Sequence, residues 1–289
     1  MIIFSCVLSL AIFWPFSTSK PDTLSKGSSL SVEKPEDILT SPNIIFSAGF
    51  FPVGVNAYCF PIWFNEAYSH NNNNRSVVWM ENRDQPVNRK GSKLALLKIG
   101  NLILTDAGRI TFWVTGTASL SLLKLHLQNS SNMALRAPAG VVLWQSFASP
   151  TDTVLTLVSL RSQSKFYSIF YKLFFDNNNV LRLSFDDIML SSVYWSSPLV
   201  LSWDAGRSTY NNSKFAILDP FGNFNLSDKF NFLSDDYGSR VDRRPRLDYD
   251  GNISLYSRKN LGESWVVSWQ AFSNPCKIHG ICGQNSLCI

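Results

Sequence analysis

Short apolar runs separated by turn residues follow the polar leader that ends at Lys34. Runs such as NIIFSAGFFPVG and AYCFPIWF are rich in aromatic and β-branched residues and are broken by glycine and proline, which is typical of strands joined by turns. No convincing amphipathic helix appears along the chain. The pattern therefore predicts an all-β protein.

One strand pattern recurs in the first half of the chain. KLALLKIGNLILTDAG predicts two short strands around Gly100 and Asn101, with Leu102 and Leu104 on one face. LKLHLQNSSNMALRAPAG repeats this layout about thirty residues later, with Asn132 at the place of Asn101. The repetition indicates a small β domain built from similar strand units.

The sequence pattern changes from about Ser159. FYKLFFDNNNVLRLSF, KFAILDPFGNFNLS and RLDYDGNISLYSR each predict a strand, a turn and a second strand. Because 289 residues are also enough for about two domains, we expect a second β domain here.

The first residues have the layout of a secretory signal. In MIIFSCVLSLAIFWPFSTSK no charge precedes Lys20, the apolar run ends at Phe16, and small residues follow. The run is short for a membrane span. We therefore expect a signal peptide at residues 1–19 that is cleaved, and Cys6 would leave with it.

The composition agrees with export. Charged residues make up 16% of the chain, against roughly 25% in a typical soluble domain. The cluster Arg240, Arg243, Arg244 and Arg246 is interleaved with Asp242 and Asp248 and predicts a solvated loop, not a nucleic-acid site. Export also gives meaning to Asn-x-Ser/Thr sequons, and these predict N-glycosylation at Asn74, Asn129, Asn211, Asn225 and Asn252.

Motifs for catalysis and for cofactor binding are missing from the sequence. It has no phosphate-binding glycine loop, no Gly-x-Ser-x-Gly and no His-Glu-x-x-His. An extracellular hydrolase stays an alternative, because a Ser-His-Asp group assembles across a fold. The acidic pairs Asp186–Asp187 and Asp235–Asp236 lie near turn signals and are interpreted as solvated turns. We predict no catalytic residue, no cofactor and no metal.

Three of the five cysteines fall in SNPCKIHGICGQNSLCI, at Cys276, Cys282 and Cys288. Zinc sites usually have gaps of two to four residues and a fourth ligand, and only His279 is available here. A disulfide framework is favoured in an oxidising compartment, although three cysteines cannot all pair among themselves. Cys59, between Tyr58 and Phe60, is predicted to be a buried thiol.

Four ordered segments resemble plant G-type lectin S-receptor-like serine/threonine kinases, in particular their maize-type receptor kinase branch. They are VVWMENRDQPV, GNLILTDAG, LWQSFASPTDT and PCKIHGICGQNSLC. The resemblance implies a bulb-type lectin domain of β-prism type at residues 20–155, an S-locus glycoprotein-like domain at 156–272 and a truncated EGF-like module at 273–289. In this family a PAN domain, a transmembrane helix and a kinase follow, and none of these lies in this sequence. The resemblance also implies a disulfide between Cys276 and Cys288, which leaves Cys282 and Cys59 unpaired in this chain.

Bulb-type lectins bind mannose through the pattern Gln-x-Asp-x-Asn-x-Val-x-Tyr, so the resemblance points to three degenerate candidate residues, Gln128, Asn132 and Asn101. At the other pattern positions the first repeat has Leu97, Ile99, Ile103 and Thr105, and the second has Ser130, Ala134 and Arg136. A lost hydrogen bond to a charged group costs about 1.5–3 kcal/mol, enough to abolish a weak monosaccharide affinity. Asn101 and Asn132 are then interpreted as turn residues. The family's Asn-Gly turn is Asn43–Ile44 here, without the glycine that accepts a positive φ.

These observations predict a non-enzymatic recognition ectodomain that is secreted or lies on the extracellular face of the plasma membrane. Its partner would be an unknown peptide, protein or carbohydrate, and a homo- or heterodimer with related receptors is a further expectation. The family's roles in defence or pollen recognition are implied by the resemblance. The alternatives are a secreted mannose-binding lectin, a soluble decoy for an intact receptor, and a non-functional gene fragment.

Overall fold

A computed structural model describes residues 20–66, 75–153, 160–161, 166–168, 170–196, 200–210, 213–283 and 286–288. In these residues the regular structure is β-strand, apart from short 3-10 helices at Pro138–Gly140, Ser146–Ala148 and Pro275–Lys277. The all-β prediction is confirmed. The described part of the chain contains no helix long and apolar enough to cross a membrane. The predicted signal sequence and the sequons at Asn74 and Asn211 lie outside the described residues.

The first domain is built from three four-stranded antiparallel sheets, with strands numbered in chain order. One sheet joins β3 (Leu39–Thr40), β4 (Phe46–Ala48), β7 (Pro61–Phe64) and β8 (Val77–Met80). A second joins β2 (Ser29–Ser31), β10 (Lys93–Leu96), β11 (Leu102–Thr105) and β12 (Thr111–Val114). The third joins β1 (Thr23–Ser25), β13 (Lys124–Leu127), β14 (Met133–Arg136) and β15 (Val142–Gln145). A small additional sheet contains β5 (Phe51–Gly54), β6 (Ala57–Cys59) and β9 (Val87–Asn88).

Each of the three main sheets places one tryptophan at the same point. An aliphatic residue of the third strand pairs with a tryptophan of the fourth, and a β-bulge follows at once, in the pairs Ile62–Trp79, Leu104–Trp113 and Leu135–Trp144. The ring of Trp144 lies 6.0 Å from that of Trp79 and 5.2 Å from that of Trp113. The sheets therefore form a three-sided prism around an aromatic centre.

Alternating strand residues supply the rest of this core. Leu102 and Leu104 are buried on one face of β11, as the strand pattern predicted. Leu125, Leu127 and Met133 occupy corresponding positions around the β13–β14 hairpin and are also buried. The inner face of every sheet is thus covered by the other two sheets, which is what a half-apolar strand pattern requires.

The second domain is also made of three sheets. One joins β16 (Leu160–Arg161), β21 (Phe215–Leu218), β22 (Asn223–Leu226) and β23 (Asn231–Leu233). Another joins β17 (Phe166–Ser168), β18 (Tyr171–Phe175), β19 (Leu181–Asp186) and β20 (Ser191–Trp195). The last joins β24 (Asp242–Leu247), β25 (Ile253–Arg258) and β26 (Val266–Gln270), and Thr153 forms a single bridge to Arg246 on its free edge. The prediction of a solvated loop at the basic residues is wrong here, because Arg243 and Arg244 are buried in β24.

The topology of the first prism is repeated in the second. In both, three leading segments pair in reverse order with three hairpins: β1, β2 and β3 in the first prism, and Thr153, β16 and β17 in the second. The aromatic pairing also recurs, as Leu183–Trp195, Phe224–Phe232 and Leu255–Trp269. The rings of Phe232 and Trp269 stack with their centroids 3.6 Å apart. The domain predicted from its resemblance to S-locus glycoproteins is therefore a second β-prism.

The two prisms are joined by a compact contact around Trp265. Its indole Nε1 donates to Ser76 Oγ at 3.0 Å, and its ring lies 5.4 Å from that of Phe64. Arg258, on β25, forms a 2.6 Å ion pair with Glu66 of the first prism. The chain passes between the prisms near residue 150, because Trp79 Nε1 still bonds to Ser149 O while Leu247 of the second prism bonds to Asp152 O.

Replacing Trp79 tests whether the aromatic centre stabilises the first prism. Trp79 is buried and donates to Ser149 O at 2.8 Å, so Trp79→Ala should cost about 3–5 kcal/mol. Urea unfolding measures the loss. Trp203 is exposed, and Trp203→Ala should stay within about 0.5 kcal/mol of the parent. Equal effects of the two substitutions would contradict the assignment.

The turn at Ile44 generates a second prediction. Ile44 has φ of 62° although it is β-branched and exposed, and this region costs such residues about 1–2 kcal/mol. Ile44→Gly should therefore raise the free energy of unfolding by about 0.5–1 kcal/mol, net of the entropy gained by the unfolded chain. The matched control is the exposed Ile110, which lacks a positive φ. Ile110→Gly should destabilise the protein in the same unfolding measurement, and stabilisation by both changes would refute the strain argument.

Candidate functional site

The β10–β11 turn, which holds the first lectin-type position, lacks the polar groups of the lectin pattern. Leu97 N donates to Asn101 O at 2.8 Å, and Gly100 closes the turn with φ of 96°. The amide oxygen of Asn101 is buried and has no hydrogen-bond partner, while Ile99 is exposed at the place of the pattern's acidic residue. This turn offers neither a carboxylate nor an accessible amide to a sugar.

The β13–β14 turn holds the second position, and its motif residues are engaged within the protein. Asn132 Nδ2 donates to Gln145 Oε1 at 2.9 Å, and Asn132 Oδ1 accepts from Ser146 Oγ at 3.2 Å. The Gln128 oxygen, in the amide orientation that satisfies both of its polar atoms, accepts from the guanidinium of Arg136. The Asn132 amide therefore holds the hairpin to Gln145 and Ser146 at the end of β15, whereas the Gln128 amide is bound within the hairpin itself by Arg136.

The third hairpin of the first prism, between β4 and β7, differs from the other two. Its connection, residues 49–60, contains the additional strands β5 and β6. Cys59, at the end of β6, is buried, and its Sγ donates to Asn82 O at 3.4 Å. Burial, together with the charge of Asp84, raises the pKa of this thiol to about 11, so Cys59 is chemically inert at neutral pH.

A closer match to the lectin pattern lies in the second prism and was not predicted from the sequence. The β24–β25 hairpin carries Asp248, Asp250, Asn252, Ser254 and Tyr256 at the five pattern positions. Three of them, Asp250, Asn252 and Tyr256, keep the pattern's residue types. The segment DYDGNISLY would have disclosed the match, but the second domain was not expected to be a bulb-type prism.

Two of the pattern residues in this hairpin are hydrogen-bonded to each other. Tyr256 Oη donates to both carboxylate oxygens of Asp248 at 3.0 Å. Burial and the neighbouring charge of Asp248 raise the pKa of Tyr256 to about 12, while burial raises that of Asp248. Asp250 is partly exposed and accepts from Asn252 N at 3.0 Å through one carboxylate oxygen. Among these residues, Asp250 has the carboxylate best placed for a ligand.

The predicted glycosylation sites differ in their surroundings. Asn129 is exposed, and its Oδ1 accepts from Asn43 N at 2.9 Å. Asn225 points outward from β22. Asn252, by contrast, is buried, and its Nδ2 donates to Phe272 O at 2.8 Å. A glycan on Asn252 would have to break this bond, whereas one on Asn129 or Asn225 would extend into solvent.

The cysteine-rich end packs against the second prism. Cys276 and Cys288 form a disulfide with their Cα atoms 5.5 Å apart, while Cys282 is free and exposed. His279 Nδ1 lies 2.9 Å from Ser192 Oγ, and Ile278 is buried. No group of three or more His, Cys, Asp and Glu side chains within the described residues is arranged to hold a metal.

The acidic pairs considered for hydrolysis are divided between separate structural roles. Asp186 accepts from Ser191 Oγ and lies 3.8 Å from Lys172 Nζ. Asp236 forms an ion pair with Arg243 at 3.0 Å, and Arg243 is buried. These contacts tie loops to strands, so the structure brings no support to a catalytic use of either pair.

Comparison with known proteins agrees with this geometry. The chain is 34% identical over 98% of its length to ZmPK1 of Zea mays, which is described as a receptor protein kinase, and covers 36% of it. The resemblance to plant G-type lectin receptor-like kinases is confirmed. A G-type lectin S-receptor-like serine/threonine-protein kinase of Arabidopsis thaliana, At5g24080, is 28% identical over 98% of the chain, which covers 35% of that protein. Residues 76–169 match the family model of D-mannose binding lectins.

The chain spans about a third of the length of these curated relatives. The part of the kinases that it matches is the lectin ectodomain and not the kinase domain, as expected from the sequence. Among solved structures, a monomeric mannose-binding lectin from Gastrodia elata is similar with a TM-score of 0.31 at 20% identity, over 43% of this chain and 96% of that one.

Asn132 should prove to be a structural residue. Asn132→Ala leaves Ser146 Oγ, Phe147 N and the Gln145 side chain without their partner, which should destabilise the protein by about 1–3 kcal/mol. Thermal or urea unfolding measures this loss. Asn129→Ala, three residues earlier in the same turn, removes only an exposed acceptor for Asn43 N and should cost less than about 1 kcal/mol. An Asn132→Ala protein of unchanged stability would contradict the role assigned here.

Proposed function

We propose that this chain is an extracellular recognition region that binds its ligand without the two lectin-type turns of its first prism. The observation that carries the proposal is the engagement of Asn132 and Gln128 by partners within the same domain. A sugar would have to displace these intramolecular hydrogen bonds and would find no carboxylate at Ile99 or Ser130. The fold is that of a lectin, but the first prism uses the motif positions for stability.

Similarity to receptor kinases supports the receptor part of the proposal. The matched relatives are described as kinases, so in a longer protein this region would sit outside the cell and report ligand binding to a kinase. Cell-surface recognition in defence or of pollen belongs to the same proposal. Two rigid prisms joined through Trp265 and Arg258 would form the recognition surface.

A direct test uses methyl α-mannoside and the chain expressed with its glycans. Isothermal titration should detect no heat of binding at millimolar sugar, and mannan beads should not retain the protein. Gln128→Ala should leave both results unchanged. Retention on mannan that is lost in Gln128→Ala would overturn the proposal, because it would place the sugar on the first prism.

Carbohydrate binding by the second prism is the alternative that one observation favours. The β24–β25 hairpin keeps three of five pattern residues, and Asp250 keeps a carboxylate at its edge. If this hairpin binds mannose, Asp250→Ala should abolish retention on mannan, since charge-assisted hydrogen bonds dominate such shallow sites. The exposed Asp235 is the matched control, and Asp235→Ala should keep any binding that the parent shows.

A further inference from the structure

A cleft of about 560 Å³ lies between the two prisms. The first prism contributes Ser76 and Met80 to its wall, and the connecting segment contributes Thr151 and Asp152. On the other side, Arg244 and Arg246 come from β24, and residues 262–265 also line the cleft. The rest of the wall consists of Glu66, Arg75, Val77 and Arg83 of the first prism. The cleft is separate from the lectin-type turns of the first prism.

Arg244 is the central feature of this cleft. Its side chain is buried, with 7% of the residue exposed, and its guanidinium carbon lies 4.2 Å from the centre of the Trp265 ring. Arg258 lies 4.3 Å from the same ring, and Trp265 Nε1 is held by Ser76 Oγ. Arg244 is therefore fixed in place by stacking on an anchored indole, not by an ion pair.

No carboxylate within the described residues pairs with Arg244. Its Nε is buried without an acceptor. The neighbouring acids are engaged elsewhere: Glu66 pairs with Arg258 at 2.6 Å, and Asp152 lies 3.5 Å from Arg83 and 3.6 Å from Arg246. Asp152 is near enough to act on the Arg244 charge, but within the described residues its own ion pairs are with Arg83 and Arg246.

The electrostatic surroundings of Arg244 disfavour its charge. Burial, followed by the positive charges of Arg246 and Arg258, lowers the pKa of Arg244 to about 10, and Asp152 offsets only part of this shift. The guanidinium still carries its proton at neutral pH. Because a buried cation without a partner is unfavourable, an anion that entered the cleft would relieve the imbalance.

Other buried groups in the cleft also lack hydrogen bonds. Thr151 Oγ1 is buried without one, and Arg246 Nε, which lies 3.7 Å from Asp248 Oδ1, is too far from it for a hydrogen bond. The carboxylates of Asp152 and Glu263 line the same space and can accept from hydroxyl groups. The complement of this wall is a ligand with one anionic group and several hydroxyls.

We propose that the interdomain cleft binds a uronate sugar, with its carboxylate on Arg244 and its hydroxyl groups on Asp152, Glu263 and Thr151. A guanidinium binds a carboxylate through two parallel hydrogen bonds, which fits the planar anion of a uronate. An acidic peptide carries the same anion but lacks the array of hydroxyl donors that Asp152 and Glu263 would accept. This inference deepens the proposed extracellular recognition and names its ligand class, but it does not depend on the result with mannose.

Titration calorimetry of the whole chain with D-galacturonate tests the proposal. Galacturonate should bind, and D-galactose, which differs in lacking the carboxylate, should bind at least tenfold more weakly. Arg244→Gln should weaken galacturonate binding at least tenfold. Arg240→Gln, at an exposed arginine just before β24, should leave the affinity unchanged. If galacturonate does not bind, or binds equally well to Arg244→Gln, the cleft proposal is rejected. The proposed function would still stand in that case, provided that mannan does not retain the protein.

Two further ligands test whether the cleft recognises a uronate, a simple anion or an acidic peptide. Acetate and the tripeptide Gly-Glu-Gly should each bind at least tenfold more weakly than galacturonate. Acetate binding as tightly would show a simple anion site, and tighter binding of the tripeptide would show a peptide site; either result overturns the proposal. If Arg244→Gln does not fold, Arg244→Lys keeps the charge and should still weaken binding, because lysine cannot offer the paired donors. Galacturonate should also raise the unfolding temperature of the parent protein, and the absence of a shift at saturation would count against the cleft.

Discussion

The aromatic centre of each prism is the contact on which the rest of the structure depends. A sheet of four strands with two to four residues each cannot bury both faces and is marginal alone. In the first prism, Trp144 contacts Trp79 and Trp113 and so links all three sheets. The β-bulge that follows each pairing bends the third strand at the same point. Closure around one centre therefore determines where every hairpin turn lies.

The hairpin turn that recurs in both prisms serves the fold whether or not it carries the residues of a lectin site. The same turn bond, from the first turn residue to the carbonyl of the fifth, closes the central hairpin in five of the six sheets that form the two prisms, at Leu97–Asn101, Gln128–Asn132, Asp176–Val180, Asp219–Asn223 and Asp248–Asn252. Asn132 and Asn252 also use their amides alike, each accepting from the phenylalanine three residues after the sheet's tryptophan. In these two hairpins the asparagine amide accordingly has a structural role, and its Oδ1 is already occupied by a bond within the protein.

The contact between the prisms turns one sheet face into an interface. Arg244, Tyr256 and Arg258 all lie on the face of the β24–β25–β26 sheet that points away from the second prism's core. In the described structure Arg258 stacks 4.2 Å from Phe64 and pairs with Glu66, both in the first prism. Arg244 sits beside this contact without an ion pair of its own in the described residues, so the docking of the two domains creates the charged cleft.

Sequence and tertiary structure contributed different parts of this description. Local patterning was enough for the all-β class, the two domains and the buried face of Leu102 and Leu104, because strand alternation and turn residues are properties of neighbouring positions. The family was indicated separately, by the resemblance of four ordered segments. The spacing of Trp79, Trp113 and Trp144, 34 and 31 residues apart, was visible in the sequence, but its meaning was not, since only closure of three sheets brings these rings together. The engagement of Gln128 by Arg136, the second prism with its Asp248–Tyr256 hairpin, and the unpaired charge of Arg244 were decided by tertiary structure. Each depends on groups that meet across a sheet or a domain boundary, and the separation of such groups along the chain carries no signal of their contact.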